Sequence, residues 1–238
     1  MTRGKFKRFY KTVAVADAGP TGGFSVTLDG RTIKTPAQVD MILANRGLAA
    51  AVAAEWDEQG EDVEPAAMPL TGLVWSAIDV VRPNRARVIE DVSAFAAHDL
   101  VCYRAEGPAD LTARQQAHWQ PLIEWAARAF DAPLKVTSGV LPVAQPEGSL
   151  AALRRAVEAK GDFELTALGG AVTAAGSLVI GLALSAGEVD AETAFAAAQL
   201  DEGYQIERWG DDPEATRRRD TIKNDLGAAA RFMDLLKG

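Results

Sequence analysis

A cysteine and a histidine stand four residues apart, at Cys102 and His98. On a helix these side chains would be neighbours, and a thiol beside an imidazole can act as a nucleophile with its base. At about 100° per residue, however, Cys102 falls on the same stripe as Val88, Val92 and Phe95. This position favours a small buried hydrophobic residue over a nucleophile. We therefore interpret Cys102 as a core residue with His98 beside it.

Two carboxylates also fall on apolar stripes. Asp99 lies near the centre of the face that carries Cys102, and Glu202 shares a stripe with Phe195, Ile206 and Trp209. A buried carboxylate is costly unless it has a partner. Three interpretations stay open: an internal ion pair, an acid in an apolar groove that binds a partner protein (chiefly Glu202), or a two-acid catalytic pair. The candidate internal partners are arginines at positions 104, 208 and 217–219.

Motifs for nucleotide or metal chemistry are absent from the sequence. It contains no GxxxxGK[ST] loop, no GxGxxG after a strand, no HExxH or ExxH, and no GxSxG. With one cysteine and two histidines, a multi-cysteine metal site is impossible and imidazole ligands are scarce. We expect no nucleotide, cofactor or metal site, and no catalytic residue.

Composition and charge exclude further classes. Hydrophobic residues make up 48% and charged residues 24% of the 238 residues, as in globular proteins. Lysine and arginine number 25 against 33 acidic residues, a net charge of −8, which disfavours nucleic-acid binding. The single cysteine excludes an intrachain disulfide and fits a reducing compartment such as the cytosol.

One uncharged segment is long enough to span a bilayer. It runs from Leu165 to Leu184, twenty residues. Its glycines and hydroxyl side chains dilute the hydrophobicity, and its flanks are acidic instead of basic. We predict two buried helical pieces, broken near Gly169-Gly170, and no membrane insertion.

The element pattern changes along the chain. Alternating residues predict strands at 11–16, 24–28 and 31–35, joined by an Asp29-Gly30 turn, with a possible further strand at 39–43. Asn45, Asn84 and Asp190 are expected N-caps. The predicted helices lie at 46–59, 69–81, 85 to about 103, 112–130, 150–160, 191–209 and 213–236.

These elements predict an α+β fold. A small N-terminal domain with antiparallel β-structure, residues 1–82, precedes an all-α helical domain, residues 83–238. Trp56, near the end of the first predicted helix, is expected to be buried and to pack that helix onto the adjoining layer. We assign structural roles to Trp56 and Asp99.

A set of short strings resembles a known family in order and spacing. The resemblance covers essentially the whole chain, and it points to the ATP synthase assembly factor 2 family. The strings are RFYK at 8–11, LDGR at 28–31 with KTP at 34–36, EWDEQ at 55–59, MPLT at 68–71, DLVCYR at 99–104, GSL at 176–178, and LDEGYQ at 200–205 with WG at 209–210.

The resemblance implies a chaperone and not an enzyme. Family members bind the unassembled alpha subunit of the F-type ATP synthase catalytic sector and hold it until the beta subunit replaces them. They have a β-containing N-terminal domain and a helical C-terminal domain. Eukaryotic members carry a mitochondrial presequence, and none is recognised at this N-terminus. The resemblance therefore implies a bacterial member that works in the cytoplasm.

The resemblance also points to one acid. In the family, the acid of the Asp-Glu-x-aromatic-Gln string matters for activity, which here is Glu202; the aromatic is Tyr204, where a larger ring is common. Asp201, Glu202, Tyr204 and Trp209 are therefore the predicted partner-binding residues. Two alternatives from other classes remain: a small two-acid hydrolase that uses Asp99 and Glu202, and a peripheral membrane protein that uses residues 165–184.

Overall fold

A computed structural model describes residues 4–19, 22–139 and 141–238. The strands are β1 (Phe6–Lys7), β2 (Val13–Asp17), β3 (Phe24–Leu28), β4 (Arg31–Thr32), β5 (Asp62–Val63), β6 (Tyr103–Arg104) and β7 (Thr137–Ser138). The α-helices are α1 (Arg46–Asp57), α2 (Pro69–Ser76), α3 (Arg85–Ala94), α4 (Ala109–Phe130), α5 (Glu147–Glu158), α6 (Asp162–Ala175), α7 (Leu178–Ala186), α8 (Ala191–Ala198), α9 (Leu200–Trp209) and α10 (Pro213–Lys237).

The chain divides into two units. The first, here called the β-rich unit, contains the residues up to Arg85 together with 161–167 and 231–238. The second, the helical unit, contains 86–160 and 168–230. Small antiparallel sheets followed by a mostly helical region confirm the predicted α+β class. The boundary between residues 82 and 83 stays a prediction.

The β-rich unit is organised around a three-stranded antiparallel sheet in the order β2-β3-β4. The predicted turn joins β3 to β4, and both of its residues have positive φ, 49° at Asp29 and 78° at Gly30. The Asp29 carboxylate also accepts hydrogen bonds from the amides of Lys11 and Thr12, which fixes the start of β2. Helix α1 packs against β2 and β3. In place of the possible strand at 39–43, the structure has two isolated β-bridges, one at Asp40 and one at Leu43.

Helix α1 begins where its cap predicts. The Asn45 side chain accepts a hydrogen bond from the Leu48 amide at 2.8 Å. Its Nδ2 donates to the Leu235 carbonyl near the end of α10, also at 2.8 Å. Phe232 on the same stretch of α10 is fully buried and stacks on Phe163, with ring centroids 6.3 Å apart. The last residues of α10 are therefore part of the packing of the β-rich unit.

The predicted helix from residue 85 to about 103 is wrong in its second half. Helix α3 ends at Ala94, followed by two short 3-10 turns on either side of Asp99, which has an extended conformation with ψ of 131°. Asp99 leaves the helix because its carboxylate meets Ser177 and the start of α7. Asn84 is not a cap, since its side chain donates to the Val80 carbonyl.

The uncharged segment does form two helices, but the predicted break at Gly169-Gly170 is wrong. Both glycines lie within α6, and the break comes at Gly176, whose φ is +66°. Ser177 then caps α7 by accepting a hydrogen bond from the Ile180 amide. A Cβ atom at Gly169 would lie 3.3 Å from Val92, so this glycine permits close packing. Within the described ranges, no helix has both the length and the apolar character needed to cross a membrane.

The predicted helix at 191–209 is two helices. Asp190 caps α8 by accepting a hydrogen bond from the Thr193 amide. The chain then turns at Gln199, with φ of −110° and ψ of 20°, before α9 begins. This turn separates Phe195 from the later residues, so the single stripe of Phe195, Ile206 and Trp209 expected on one helix does not exist.

Candidate functional site

Helix α9 carries the four predicted partner-binding residues and packs on α4. Tyr204 holds the two helices together. It is buried, and its hydroxyl donates to the Asp110 carboxylate at 2.9 Å. The guanidinium groups of Arg208 and Arg114 lie 4.8 and 5.4 Å from the centre of its ring. Any part that Tyr204 has in partner binding is therefore indirect.

Asp201 is paired within the chain. Its carboxylate accepts a hydrogen bond from Gln115 Nε2 at 2.7 Å, and Gln115 Oε1 accepts one from the Ala105 amide at 2.8 Å. Gln115 is fully buried in α4. Asp201 thus completes a chain of hydrogen bonds that fixes the first turn of α9 on α4.

Glu202, the next residue, is half-buried and has no such partner. Among the described residues, no hydrogen bond or ion pair reaches its carboxylate. Its place in the first turn of α9 favours a negative charge there, because the helix dipole is positive at that end. The interpretation of Glu202 as one half of an internal ion pair is therefore not supported, and this acid is available to an external cation.

Trp209 is the last residue of α9, and it is 78% exposed. Gly210 follows with φ of 86°, which ends the helix. An indole exposed to this degree is available as an apolar contact on the same helix as Glu202. The four predicted residues thus differ: Asp201 and Tyr204 attach α9 to α4, while Glu202 and Trp209 are left without partners in the described structure.

Three of the arginines expected to pair with the two acids contact other groups. Arg208 pairs with Asp110 at 2.5 Å, and Arg219 lies over the Phe195 ring at 5.6 Å. Arg104 donates to the Val101 carbonyl at 2.7 Å and lies 5.0 Å from the Trp119 ring centre. In the described part of the chain, no ion pair joins an arginine to Glu202 or to Asp99.

Asp99 is fully buried, and of the three open interpretations the internal ion pair is not supported for this acid. Its carboxylate accepts hydrogen bonds from Ser177 Oγ at 2.5 Å, the Val179 amide at 3.0 Å and the Val101 amide at 3.3 Å. Burial raises its pKa to about 6, although these hydrogen bonds oppose the rise. A carboxyl without solvent access cannot reach a substrate, so the geometry does not support a hydrolase that uses Asp99 and Glu202.

Cys102 is also fully buried, as the apolar stripe predicts. Burial raises the pKa of its thiol to about 12, so it is not a thiolate at neutral pH. His98 and Cys102 lie on separate 3-10 turns and not on one helix. No group of three potential metal-ligating side chains occurs among residues 4–19, 22–139 and 141–238.

Trp56 is 5% exposed, which confirms its predicted burial. Its carbonyl accepts a hydrogen bond from the Tyr10 hydroxyl at 2.6 Å.

The neighbouring Glu55 has a role that the sequence did not reveal. Its two carboxylate oxygens accept from the amides of Leu70 and Thr71, each at 2.8 Å, and so cap α2, whose own cap residue supplies no side-chain hydrogen bond.

A family model described as ATP12 chaperone protein matches residues 7–127, about half of the chain. The chain belongs to the ATP12 chaperone family. The match confirms the resemblance seen in the short strings, and with it the assignment as a chaperone of ATP synthase assembly. The relatives are themselves named as Atp12 or as a chaperone, which agrees with a protein that is not an enzyme.

Relatives of this ATP12-family chain cover most of its length. The mitochondrial protein atp12 of Schizosaccharomyces pombe is 25% identical over an alignment 238 residues long, and the alignment covers 94% of this chain and 81% of that protein. The crystal structure of Atp12 from Paracoccus denitrificans is 40% identical, with a TM-score of 0.91 over 96% of this chain and 97% of that one. The Atu1473 protein of Agrobacterium tumefaciens, a putative chaperone by its description, is 38% identical, with a TM-score of 0.93 over 98% and 87% of the two chains.

Proposed function

We propose that this ATP12-family chaperone binds the unassembled alpha subunit of F-type ATP synthase in the bacterial cytoplasm and releases it when the beta subunit takes its place. It acts by binding alone, without catalysis. The observation that carries the proposal is the unpaired carboxylate of Glu202 on a helix that is otherwise tied firmly to α4.

The chemistry of such a client explains why an acid and an exposed indole stand together. A subunit that lacks its neighbour exposes a large apolar interface, which favours aggregation or incorrect pairing. Trp209 offers apolar contact to that surface, while Glu202 offers a charge for a basic group of the client. The net charge of −8 would discourage self-association of the chaperone and favour encounter with basic client surfaces.

A rigid support makes the acid effective. Asp201 and Tyr204, on either side of Glu202, are held by Gln115 and Asp110 of α4. The backbone of α9 therefore loses little freedom when a client binds. Little of the free energy gained from the contacts is then lost to ordering the helix. Release stays easy, because one charge pair and one aromatic contact give only moderate affinity.

The test is a pair of substitutions at Glu202. Glu202→Gln keeps the shape of the side chain and removes its charge, so the melting temperature should stay unchanged. Binding of purified alpha subunit should weaken by about 1.5–3 kcal/mol, roughly ten- to hundredfold in Kd, as for a hydrogen bond to a charged group. Glu202→Lys should weaken binding further, since it brings two cations together.

Glu147→Gln is the matched control. Glu147 is exposed in the first turn of α5, a helix of the same unit. Glu147→Gln therefore removes the same charge near a helix N-terminus, but away from the proposed surface. It should leave alpha-subunit binding unchanged. A loss of stability in Glu202→Gln with binding retained would remove Glu202 from the site.

A further inference from the structure

Two groups of opposite charge in the helical unit, Glu202 on α9 and Arg219 on α10, have no charged partner. In the described part of the chain, no ion pair or hydrogen bond reaches either side chain. Arg219 Nη1 is also shielded from solvent, so this donor has no acceptor. A buried donor without an acceptor costs free energy, and a carboxylate within its reach would relieve that cost.

The position of Arg219 brings Glu202 within its reach. A Cβ atom at Gly203, the residue after Glu202, would lie 3.6 Å from Arg219 Nη1. Consecutive Cα atoms are about 3.8 Å apart, and both charged side chains have several rotatable bonds. A change of rotamer can therefore bring the two groups together. The resulting ion pair would occupy the acid that the client is proposed to contact.

The ring of Phe195 on α8 holds Arg219 in a different place. The guanidinium lies 5.6 Å from the centre of this half-buried ring, within the range of a cation–π contact. Lys223, four residues further along α10, lies 5.8 Å from the same ring centre, and its ammonium group pairs with Glu192 at 3.0 Å. Residues four apart are neighbours on a helix, so α8 contacts both cations on one face of α10.

We infer that Phe195 is a positioning residue for client binding: its ring holds Arg219 away from Glu202 and so leaves the acid free for a basic group of the client. The inference rests on the proposed function, because it takes Glu202 as the acid that the client contacts. Phe195 acts through Arg219 and not by contact with the client. Without the ring, Arg219 pairs with Glu202, and the client binds only the fraction of molecules in which the acid is free.

The first experiment measures binding of purified alpha subunit to variants of Phe195. Phe195→Leu keeps an apolar side chain and removes the ring, so Arg219 is released. The Kd should rise about fivefold, as when an exposed ion pair leaves the acid free in about one molecule in five. Phe195→Met repeats the change with an unbranched side chain and should weaken binding in the same way. Phe195→Tyr keeps the ring and should bind as the unaltered chain does.

The deciding variant combines Phe195→Leu with Arg219→Gln. Glutamine has no charge, so no ion pair with Glu202 forms, and binding should return to that of the unaltered chain. Arg219→Gln alone should not weaken binding. If the double variant binds as weakly as Phe195→Leu, the loss comes from altered packing of α8 and the inference is wrong.

Phe130→Leu and Arg218→Gln are the matched controls. Phe130 is a half-buried ring of the same unit that contacts the Trp125 ring, with centroids 5.2 Å apart. Arg218 is exposed next to Arg219 and loses the same charge. Neither variant should change alpha-subunit binding, and Arg218→Gln should not restore binding to Phe195→Leu. Restoration by Arg218→Gln would contradict the inference, because it would show an effect of net charge alone.

A last experiment needs no client. The effects of Glu202→Gln and Arg219→Gln on the melting temperature should add in the unaltered chain, where the two side chains form no ion pair, and should fail to add in Phe195→Leu. Additive effects in both backgrounds would overturn the inference even where the unaltered chain binds alpha subunit. If the unaltered chain does not bind alpha subunit, the proposed function itself fails, and the inferred role in client binding fails with it.

Discussion

Replacement of Asp99 by asparagine should change how stability depends on pH. The pKa of this carboxyl is raised from 3.8 to about 6, because burial disfavours the charged form more than its hydrogen bonds favour it. The folded chain therefore binds a proton that the unfolded chain has lost between these two values. By linkage, the free energy of unfolding that Asp99 contributes falls as the pH rises through this window.

The magnitude follows from the interval. Each pKa unit is worth about 1.4 kcal/mol, so the interval from 3.8 to about 6 corresponds to about 3 kcal/mol. The assay is urea unfolding of the unaltered chain and of Asp99→Asn at a series of pH values. The free energy of unfolding of the unaltered chain minus that of Asp99→Asn should fall by about 3 kcal/mol in all between about pH 3 and about pH 7, and then stay constant. Taking the difference removes the contribution of the other acids.

Ser177→Ala provides an internal check. The Ser177 hydroxyl is the strongest of the hydrogen bonds that lower the pKa of Asp99, so its removal should move the window to higher pH. If the free energy of unfolding of the unaltered chain minus that of Asp99→Asn rose with pH, the folded pKa of Asp99 would be lowered instead. That result would refute our assignment of burial as the dominant cause.

Two further predictions concern packing. Trp56→Ala should lower the free energy of unfolding by about 3–5 kcal/mol, the usual cost for a buried aromatic side chain, and an unchanged urea midpoint would contradict its burial. Gly181→Ala would place a Cβ 2.5 Å from the Val172 side chain and should destabilise by about 1–3 kcal/mol, whereas Gly170→Ala meets nothing within 4 Å and should stabilise α6 by up to about 1 kcal/mol. Melting temperatures of the two glycine variants that move in the same direction would argue against this packing.

Features that depend on neighbouring residues could be predicted from the sequence. The Asp29-Gly30 turn, the Asn45 cap of α1 and the Asp190 cap of α8 all appear where their residue types indicate. In each case the donor, the acceptor and the backbone conformation lie within a few residues. Local chemistry is therefore enough to predict them.

Features that depend on distant residues could not be predicted. The end of α3 is set by Asp99, whose partners Ser177 and Val179 lie about 80 residues away. The Gly169-Gly170 pair does not break α6, because tertiary packing next to Val92 outweighs the low helix propensity of glycine.

The same limit applies to the candidate site. Sequence resemblance selected Glu202, but only the structure shows that its neighbours Asp201 and Tyr204 are held by α4 and that Glu202 itself is not.

The end of α10 has a consequence for how the protein is made. Residues 231–238 belong to the β-rich unit, where the Leu235 carbonyl receives a hydrogen bond from Asn45 and Phe232 stacks on Phe163. On the ribosome these residues appear roughly 150 residues after Arg85, which at roughly 5–20 residues per second is a delay of roughly 8–30 s. Throughout that interval the unit that begins synthesis first lacks part of its own core. A translation product that ends before residue 231 therefore lacks residues that pack within the β-rich unit.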